Sequence, residues 1–272
     1  MEYAGRGDPV RTMALLWEGA PVPRRGPKQR LELPRIVDVA IAEADRAGPG
    51  ALSMRALAQV LDIGPATLYT YVPGKAELLE LMVDRIAGGQ PLPAPGAGWR
   101  AGLHEVATTD LAAYRTHPWL LQVATSRTVF GPHVITRYDA VLALLDGSGL
   151  PAIEVAGCVA AVESYTRGAA AAVVEAEQAP IATGSSDDEW WERRAPLLAE
   201  RMDGRFPRLS ALEKAGAFAI SDTALPYTLQ RALDRFDFGL GLVLDAIDAR
   251  ITLGQKPVRV DQSGTRADSD PS

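Results

Sequence analysis

Cysteine is nearly missing from the 272-residue chain. Cys158 stands alone inside an apolar stretch, so no internal disulfide can form and no thiolate metal motif accompanies it. A reducing compartment suits such a chain, and a cytoplasmic location is expected. Histidine is also scarce. His104, His117 and His133 are too far apart in sequence to share a helix face, so a metal trio would need the fold to bring them together; surface or pocket-lining roles are the plainer reading. We expect no metal site and no cofactor. No apolar run reaches membrane-spanning length, the longest candidate being Gly168 to Val174. Met1 to Arg11 has no apolar signal core. Neither export nor a membrane partner is expected. There is no Gly-x-Ser-x-Gly elbow, no phosphate loop and no His-Glu-x-x-His, and Gly96-Ala97-Gly98 lies in a proline-rich stretch without a third glycine at dinucleotide spacing. Enzymatic activity is not expected.

Excess positive charge is lacking as well. The formal net charge is −6, which argues against a protein that coats nucleic acid. The distribution is more informative than the total: Arg24, Arg25, Lys28, Arg30 and Arg35 cluster with only Glu32 against them. Aromatic residues make up 6 % while alanine is plentiful and hydrophobic residues reach 47 %, a balance that favours helices around a sizeable core.

Along the chain, residues 1–33 are rich in Gly, Pro and Arg and read as a flexible basic arm, with a short apolar stretch from Met13 to Trp17. Helical periodicity starts at Pro34, a residue suited to a first turn, and runs through Ile36, Val37, Ala40, Ile41 and Ala44 to Gly48-Pro49-Gly50. Ser53 is a good N-cap for a second helix carrying Met54, Leu57, Ala58 and Leu61. After the turn Asp62-Ile63-Gly64 comes a short helix from Pro65 to about Val72. A fourth helix runs from Ala76 to about Ala87. Pro91 to Gly98 reads as a hinge. Further helices are expected near 99–116, 118–128, 132–146, 151–178, 187–202 and 223–251, with Ser186 and Glu189 at capping-box spacing. Residues 204–222 are ambiguous, no strand is convincing, and the polar tail 254–272 reads as disordered. The domains expected are thus an arm (1–33), a small helical domain (34–88), a larger one (89–253) and a tail (254–272).

The most informative segment is Ser53 to Lys75, SMRALAQVLDIGPATLYTYVPGK. Two short helices meet across a turn containing Gly64, the helix-turn-helix arrangement. In it the second helix enters the major groove and its first residues face base edges. Those residues are Pro65, Ala66, Thr67, Thr70 and Tyr71. Thr67 can donate or accept, and Thr methyls and Ala66 can pack on thymine methyls. Tyr69, Tyr71 and Lys75 are placed to reach phosphates, as are Ser53 and Arg55 at the start of the preceding helix.

With its Ser at the second helix, Leu57-Ala58, the Gly64, Leu68 and Tyr69 core, and Lys75 followed by Glu77-Leu78-Leu79, this stretch of about 50 residues resembles the DNA-binding domain of the tetracycline repressor (TetR) family. Tyr114-Arg115, Tyr165-Thr166-Arg167-Gly168 and Phe236-x-Phe238-Gly239-Leu240 are similar to that family's C-terminal part. The resemblance implies an all-α fold: a three-helix helix-turn-helix head joined by a linker helix to a larger ligand-binding and dimerisation domain. It implies a homodimer whose recognition helices enter successive major grooves of a palindromic double-stranded operator, about 34–36 Å apart. It also implies a repressor released by a small-molecule inducer that moves the fourth helix as a lever, which requires the inducer to bind the spread state better than the DNA-competent one. The places where the tetracycline repressor holds a metal chelate fall near Leu121 and Ala172, neither of which ligates metal.

Some residues carry two readings. Arg24, Arg25 and Lys28 either dip into the minor groove or form a solvated charge cluster. Glu163 and Arg167 are four apart, an intrahelical ion pair or a polar anchor for the inducer. His104, Trp119, Glu163 and Tyr165 are the candidates for lining an inducer pocket. Residues 151–178, with small side chains at Gly157, Ala160, Ala161 and Gly168, and residues 223–251 have an interface look. Val159, Val162, Phe236, Leu240, Val243 and Ile247 are the expected dimer contacts of a four-helix bundle; the alternative is that both stripes bury inside one subunit. Other functions remain in view: a transcriptional activator, an architectural DNA binder without ligand, for which some 150 C-terminal residues would be superfluous, and an enzyme using the C-terminal cavity.

Overall fold

The structure, a computed structural model, describes residues 2–3, 6–19, 31–94, 96–124, 127–202, 205–219 and 224–254. Local chemistry sets most helix ends. Helix α1 (Pro9–Glu18) starts where the Asp8 carboxylate accepts from the Val10 and Arg11 amides at 2.9 and 3.2 Å, with Pro9 in the first turn. Helix α2 (Leu33–Ala47) stops at Gly48, whose φ of 76° an L-side chain would resist. Helix α3 (Met54–Val60) is capped by Ser53 Oγ, which accepts from the Ala56 amide at 3.1 Å. Helix α4 (Pro65–Tyr71) and helix α5 (Lys75–Gly89) follow.

Their apolar faces close one core. Ile36, Ala40, Leu57, Leu68, Val72, Leu78 and Met82 are almost completely buried in it. This cluster does not stop at the expected domain limits. Leu15 and Leu16 of α1 join it from before residue 34, and Trp119, Val123 and Val129 join it from beyond the hinge. Residues 9–18 are therefore a packed helix and not part of a flexible arm; the apolar stretch Met13 to Trp17 supplies the reason. The basic residues Arg24, Arg25, Lys28 and Arg30 lie outside the described residues, as does nearly all of the tail.

The second core belongs to helices α6 (Trp99–Thr116), α7 (Pro132–Ala143), α8 (Ala152–Thr183) and α11 (Tyr227–Gly254). Leu103, Ala107, Val141, Val159, Val162, Val173, Phe236, Leu240 and Ile247 fill it. With 32 and 28 residues, α8 and α11 extend over roughly 48 and 42 Å and pack side by side. Between them come α9 (Asp187–Met202), begun by the reciprocal Ser186–Glu189 capping box, and α10 (Pro207–Lys214), which occupies the stretch left ambiguous by the sequence. None of the residues of α9 or α10 is buried.

One expected helix is different. The described residues of 118–128 do not form an α-helix: a 3-10 segment covers only Pro118–Gln122, and Val123–Ala124 pair in parallel with Glu2–Tyr3. The cause is long-range. The Arg167 guanidinium of α8 donates to the carbonyls of Leu120, Leu121 and Val123 at 3.3, 3.0 and 3.0 Å, taking up acceptors that a continuing helix would have used. Among the described helices none is long and apolar enough to cross a membrane.

Candidate nucleic-acid interface

Helix α4 is held to the head by little. Leu68 is fully buried, as is Val72 just past the helix, and Tyr71 packs half-buried against the same core. Pro65, Ala66, Thr67, Tyr69 and Thr70 all face solvent, Tyr69 with 48 % of its surface exposed. The turn before it is tight. The Ile63 amide donates to the Ala58 carbonyl at 3.0 Å, Asp62 takes a positive φ of 53°, and Gly64 accepts from the Thr67 and Leu68 amides at 2.9 and 3.2 Å. The result is a short rod, one side of which is anchored and the rest of which is bare.

Not every expected contact residue is equally free. The Thr70 hydroxyl donates to the Thr67 carbonyl at 2.6 Å, leaving its methyl and its acceptor lone pairs for a partner. Ser53 Oγ is engaged as a helix cap, and Arg55 is exposed beside it. Lys75 is different from its expectation as a pure phosphate contact. Its ammonium donates to the Pro49 carbonyl at 2.6 Å in a partly buried site, pinning the start of α5 to the turn that ends α2.

The candidate inducer residues are not brought together. His104 lies on the exposed face of α6. Trp119 is 1 % exposed and belongs to the head core, its indole Nε1 donating to Asp45 at 2.8 Å; it does not line a cavity of the larger domain. Tyr165 fastens α8 to α11. Its hydroxyl lies 2.6 Å from the Arg235 carbonyl and 3.0 Å from that of Phe236, and its ring stacks on Phe236. A Cβ at position 239 would collide with that phenol, so glycine there lets the ring approach.

Glu163 alone sits among other polar groups of the larger domain, and those were not evident from sequence. Arg137 of α7 donates to Asp110 of α6 at 2.6 Å and to the Pro91 carbonyl at 3.2 Å. Arg167 lies 5.8 Å from the centre of the Tyr114 ring. Glu163 makes no ion pair with Arg167 among the described residues; that guanidinium is committed to the 118–124 segment. Burial raises the pKa of the Glu163 carboxyl, and the nearby Asp110 charge adds to the rise against the pull of Arg137. Burial likewise raises Asp110 in spite of its ion pair, because desolvation exceeds what Arg137 returns. Burial also raises the Tyr114 phenol. Asp110 and Arg137 are 27 positions apart on different helices, so no local spacing announced them.

The expected dimer contacts need correction. Val159, Val162, Phe236, Leu240 and Ile247 are each at most 3 % exposed within one subunit, and Val243 packs half-buried beside them. The first five have no surface left to give to a partner. The opposite faces are open. On α8 that face carries Gly157, Ala161, Ser164, Gly168 and Ala172. On α11, Phe238, Leu242 and Leu253 are 72, 56 and 60 % exposed. An open groove of about 430 Å³ runs between the two helices, lined by residues that include Ser164, Gly168, Ala172 and Arg235.

Comparison with known proteins agrees with this architecture. Residues 36–82 match the family described as bacterial regulatory proteins, tetR family, and residues 92–251 match the tetracyclin repressor-like C-terminal domain. The chain is 39 % identical over 253 residues to the HTH-type transcriptional repressor DrrR1 of Streptomyces coeruleorubidus, covering 92 % of this chain and 89 % of that one. It is 33 % identical to an HTH-type transcriptional regulator of Saccharopolyspora erythraea over 53 % of this chain and 62 % of the relative. Among solved structures it resembles apo ActR of Streptomyces coelicolor, with a TM-score of 0.62 and 26 % identity over 82 % of this chain and 99 % of ActR. It also resembles ActR in complex with (S)-DNPA, with a TM-score of 0.60 and 26 % identity over 83 % of this chain and all of that one.

Proposed function

Because the chain belongs to the tetR family of bacterial regulatory proteins, we propose that it is a repressor that grips a palindromic operator as a homodimer and lets go when a small molecule enters its larger domain. The observation that carries this reading is the exposure of α4. A helix with five of its seven residues bare and a single fully buried anchor within it has a surface that no intramolecular partner claims, and its width suits a major groove. Thr67, Thr70 and Tyr71 read base edges; Ser53, Arg55, Tyr69 and Lys75 meet the backbone.

The dimer forms through the open faces of α8 and α11. The small side chains on α8 let helices approach closely, and Phe238, Leu242 and Leu253 fill the space between symmetry mates in a four-helix bundle. Glu163, with Asp110, Tyr114, Arg137 and Arg167 around it, supplies the polar anchors of the inducer site. ActR has been crystallised with (S)-DNPA and with actinorhodin, which supports a drug-sized organic molecule as the inducer class here.

The test is retention of DNA from the region upstream of the protein's own gene at rising salt. We expect saturable binding to one palindromic fragment, with affinity falling steeply as counterions are restored. Binding indifferent to salt, or none to any upstream fragment, contradicts the reading.

A further inference from the structure

Two carboxylates of the head take hydrogen-bond donors from residues that lie beyond it in the chain, His117, Trp119, His133 and Val134. On α5, Asp84 is 5 % exposed. Its Oδ1 accepts from the backbone amides of His133 and Val134, both at 3.0 Å, and its Oδ2 lies 2.7 Å from His133 Nδ1. Those amides are among the first of α7, whose own cap position is Gly131 and has no side chain to offer. Asp84 therefore supplies from another helix the cap that α7 lacks, with a negative charge at the positive end of the helix dipole. On α2, Asp45 Oδ1 accepts from Trp119 Nε1 at 2.8 Å and lies 2.8 Å from His117 Nδ1.

The sequence has been cleared for the Asp84 contact from both sides. A Cβ at position 131 would fall 2.1 Å from the Asp84 carboxylate, and a Cβ at position 88, one turn along α5, would fall 2.7 Å from the His133 ring. Glycine at each place lets backbone and side chain meet. The stretch that carries the partners of the two aspartates is attached to the head elsewhere too. Trp119, Val123 and Val129 lie in the head core, and Trp17 of α1 donates to the Phe130 carbonyl at 2.9 Å. Its ties to the larger domain are the end of α6, where the His117 amide donates to the Ala113 carbonyl, Leu121 against the second core, the Arg167 clamp described above and α7 itself.

We propose that Asp84 and Asp45 are positioning residues that mount the head on the larger domain at two points and so fix the direction in which α4 points. One point would leave a pivot; two leave a defined orientation. The lever is then not α5 alone but α5 locked to the start of α7, with residues 117–124 and 127–134 as its collar. Movement of α7 or of Arg167 on inducer binding reaches the head through these carboxylates. This inference rests on the operator reading above.

The experiment compares the full-length protein with its Asp84→Ala, Asp84→Asn, Gly131→Ala and His133→Ala variants. The probes are the upstream palindrome and the same duplex with its half-sites moved apart by one base pair. The quantity read is the ratio of the two affinities, because a loosely mounted head tolerates wrong spacing whereas a firmly mounted one does not. Asp84→Ala and Gly131→Ala are expected to shrink the ratio about tenfold, within the usual range of coupling between sites. Asp84→Asn, which keeps an acceptor for the two amides, should fall between them and the wild type. Should Asp84→Ala fail to fold, Asp84→Asn and His133→Ala, whose ring is half exposed, carry the test. Variants that melt earlier but keep the wild-type ratio would show a mere structural cap and overturn the proposal. A wild-type protein that binds neither duplex would overturn the operator reading itself, and the inference with it.

Discussion

Glu163 is a carboxylate held where a carboxylate is uncomfortable. The residue keeps part of its surface exposed, yet partial burial and the neighbouring Asp110 charge both disfavour the ionised form, and Arg137, the cation that opposes them, is already paired with that aspartate. Its folded-state pKa is raised above its unfolded value. The contribution to stability is therefore complete below the ordinary carboxylate range near pH 4 and is lost as pH rises through the folded value, since the folded state binds the extra proton. Asp110 acts in the same direction. Glu163→Gln removes the charge but keeps the shape. The Gln variant should lose less stability than the wild type between about pH 4 and pH 7, measured by urea denaturation across that range. Equal losses in both proteins would mean that the Glu163 carboxyl is as well solvated in the folded chain as in the unfolded one. Such strain has a use if an inducer brings a hydrogen-bond donor or a cation to the site.

At the scale of elements, α4 depends on one side chain. Leu68 is its fully buried residue, and truncating such a leucine costs about 2–5 kcal/mol. Leu68→Ala should lower head stability by that amount in thermal or denaturant melts and weaken binding to every DNA sequence alike, because it frees α4 without touching a base contact. A loss below about 0.5 kcal/mol, the range of surface substitutions, would mean that other residues hold α4. The same elements show what a sequence announces and what it hides. Ser53, Gly64-Pro65 and the Gly48 stop act within a few residues, so α2, α3 and α4 were legible with boundaries a residue or two off. Helix α1 was hidden in its Gly, Pro and Arg surroundings, although Asp8-Pro9 is a cap followed by a first-turn proline. The 118–124 segment was illegible for a different reason: the residue that ends its helix, Arg167, comes from more than forty positions away. The stripe expected at the interface is core within one subunit. Helix α8 is apolar nearly all round, so its periodicity does not say which stripe is core. The larger valines went inward and the small residues stayed at the surface. The inducer candidates scattered because a pocket is assembled from distant helices, and only Glu163 had a neighbour, Arg167, close enough in sequence to draw notice.

The whole molecule has two cores that share a boundary, and the boundary is drawn differently from the chain order. The head core takes in Leu15 and Leu16 of α1 before it and Trp119, Val123 and Val129 after it, so head and larger domain are interlocked and not strung on a hinge. The molecule also leaves an apolar surface open, the Phe238, Leu242 and Leu253 face of α11 beside the small-residue face of α8. An exposed patch of that kind marks an interaction site, and a second copy of the chain would place a second α4 on the far side of the particle. The most direct measurement is the mass by light scattering of the wild type and of a Phe238→Glu, Leu242→Glu double variant, each alone and on the upstream palindrome. The account predicts two chains for the wild type, free and on DNA, and a folded single chain for the variant that no longer holds the palindrome. One wild-type chain per duplex, or a variant that stays paired and bound, would contradict it.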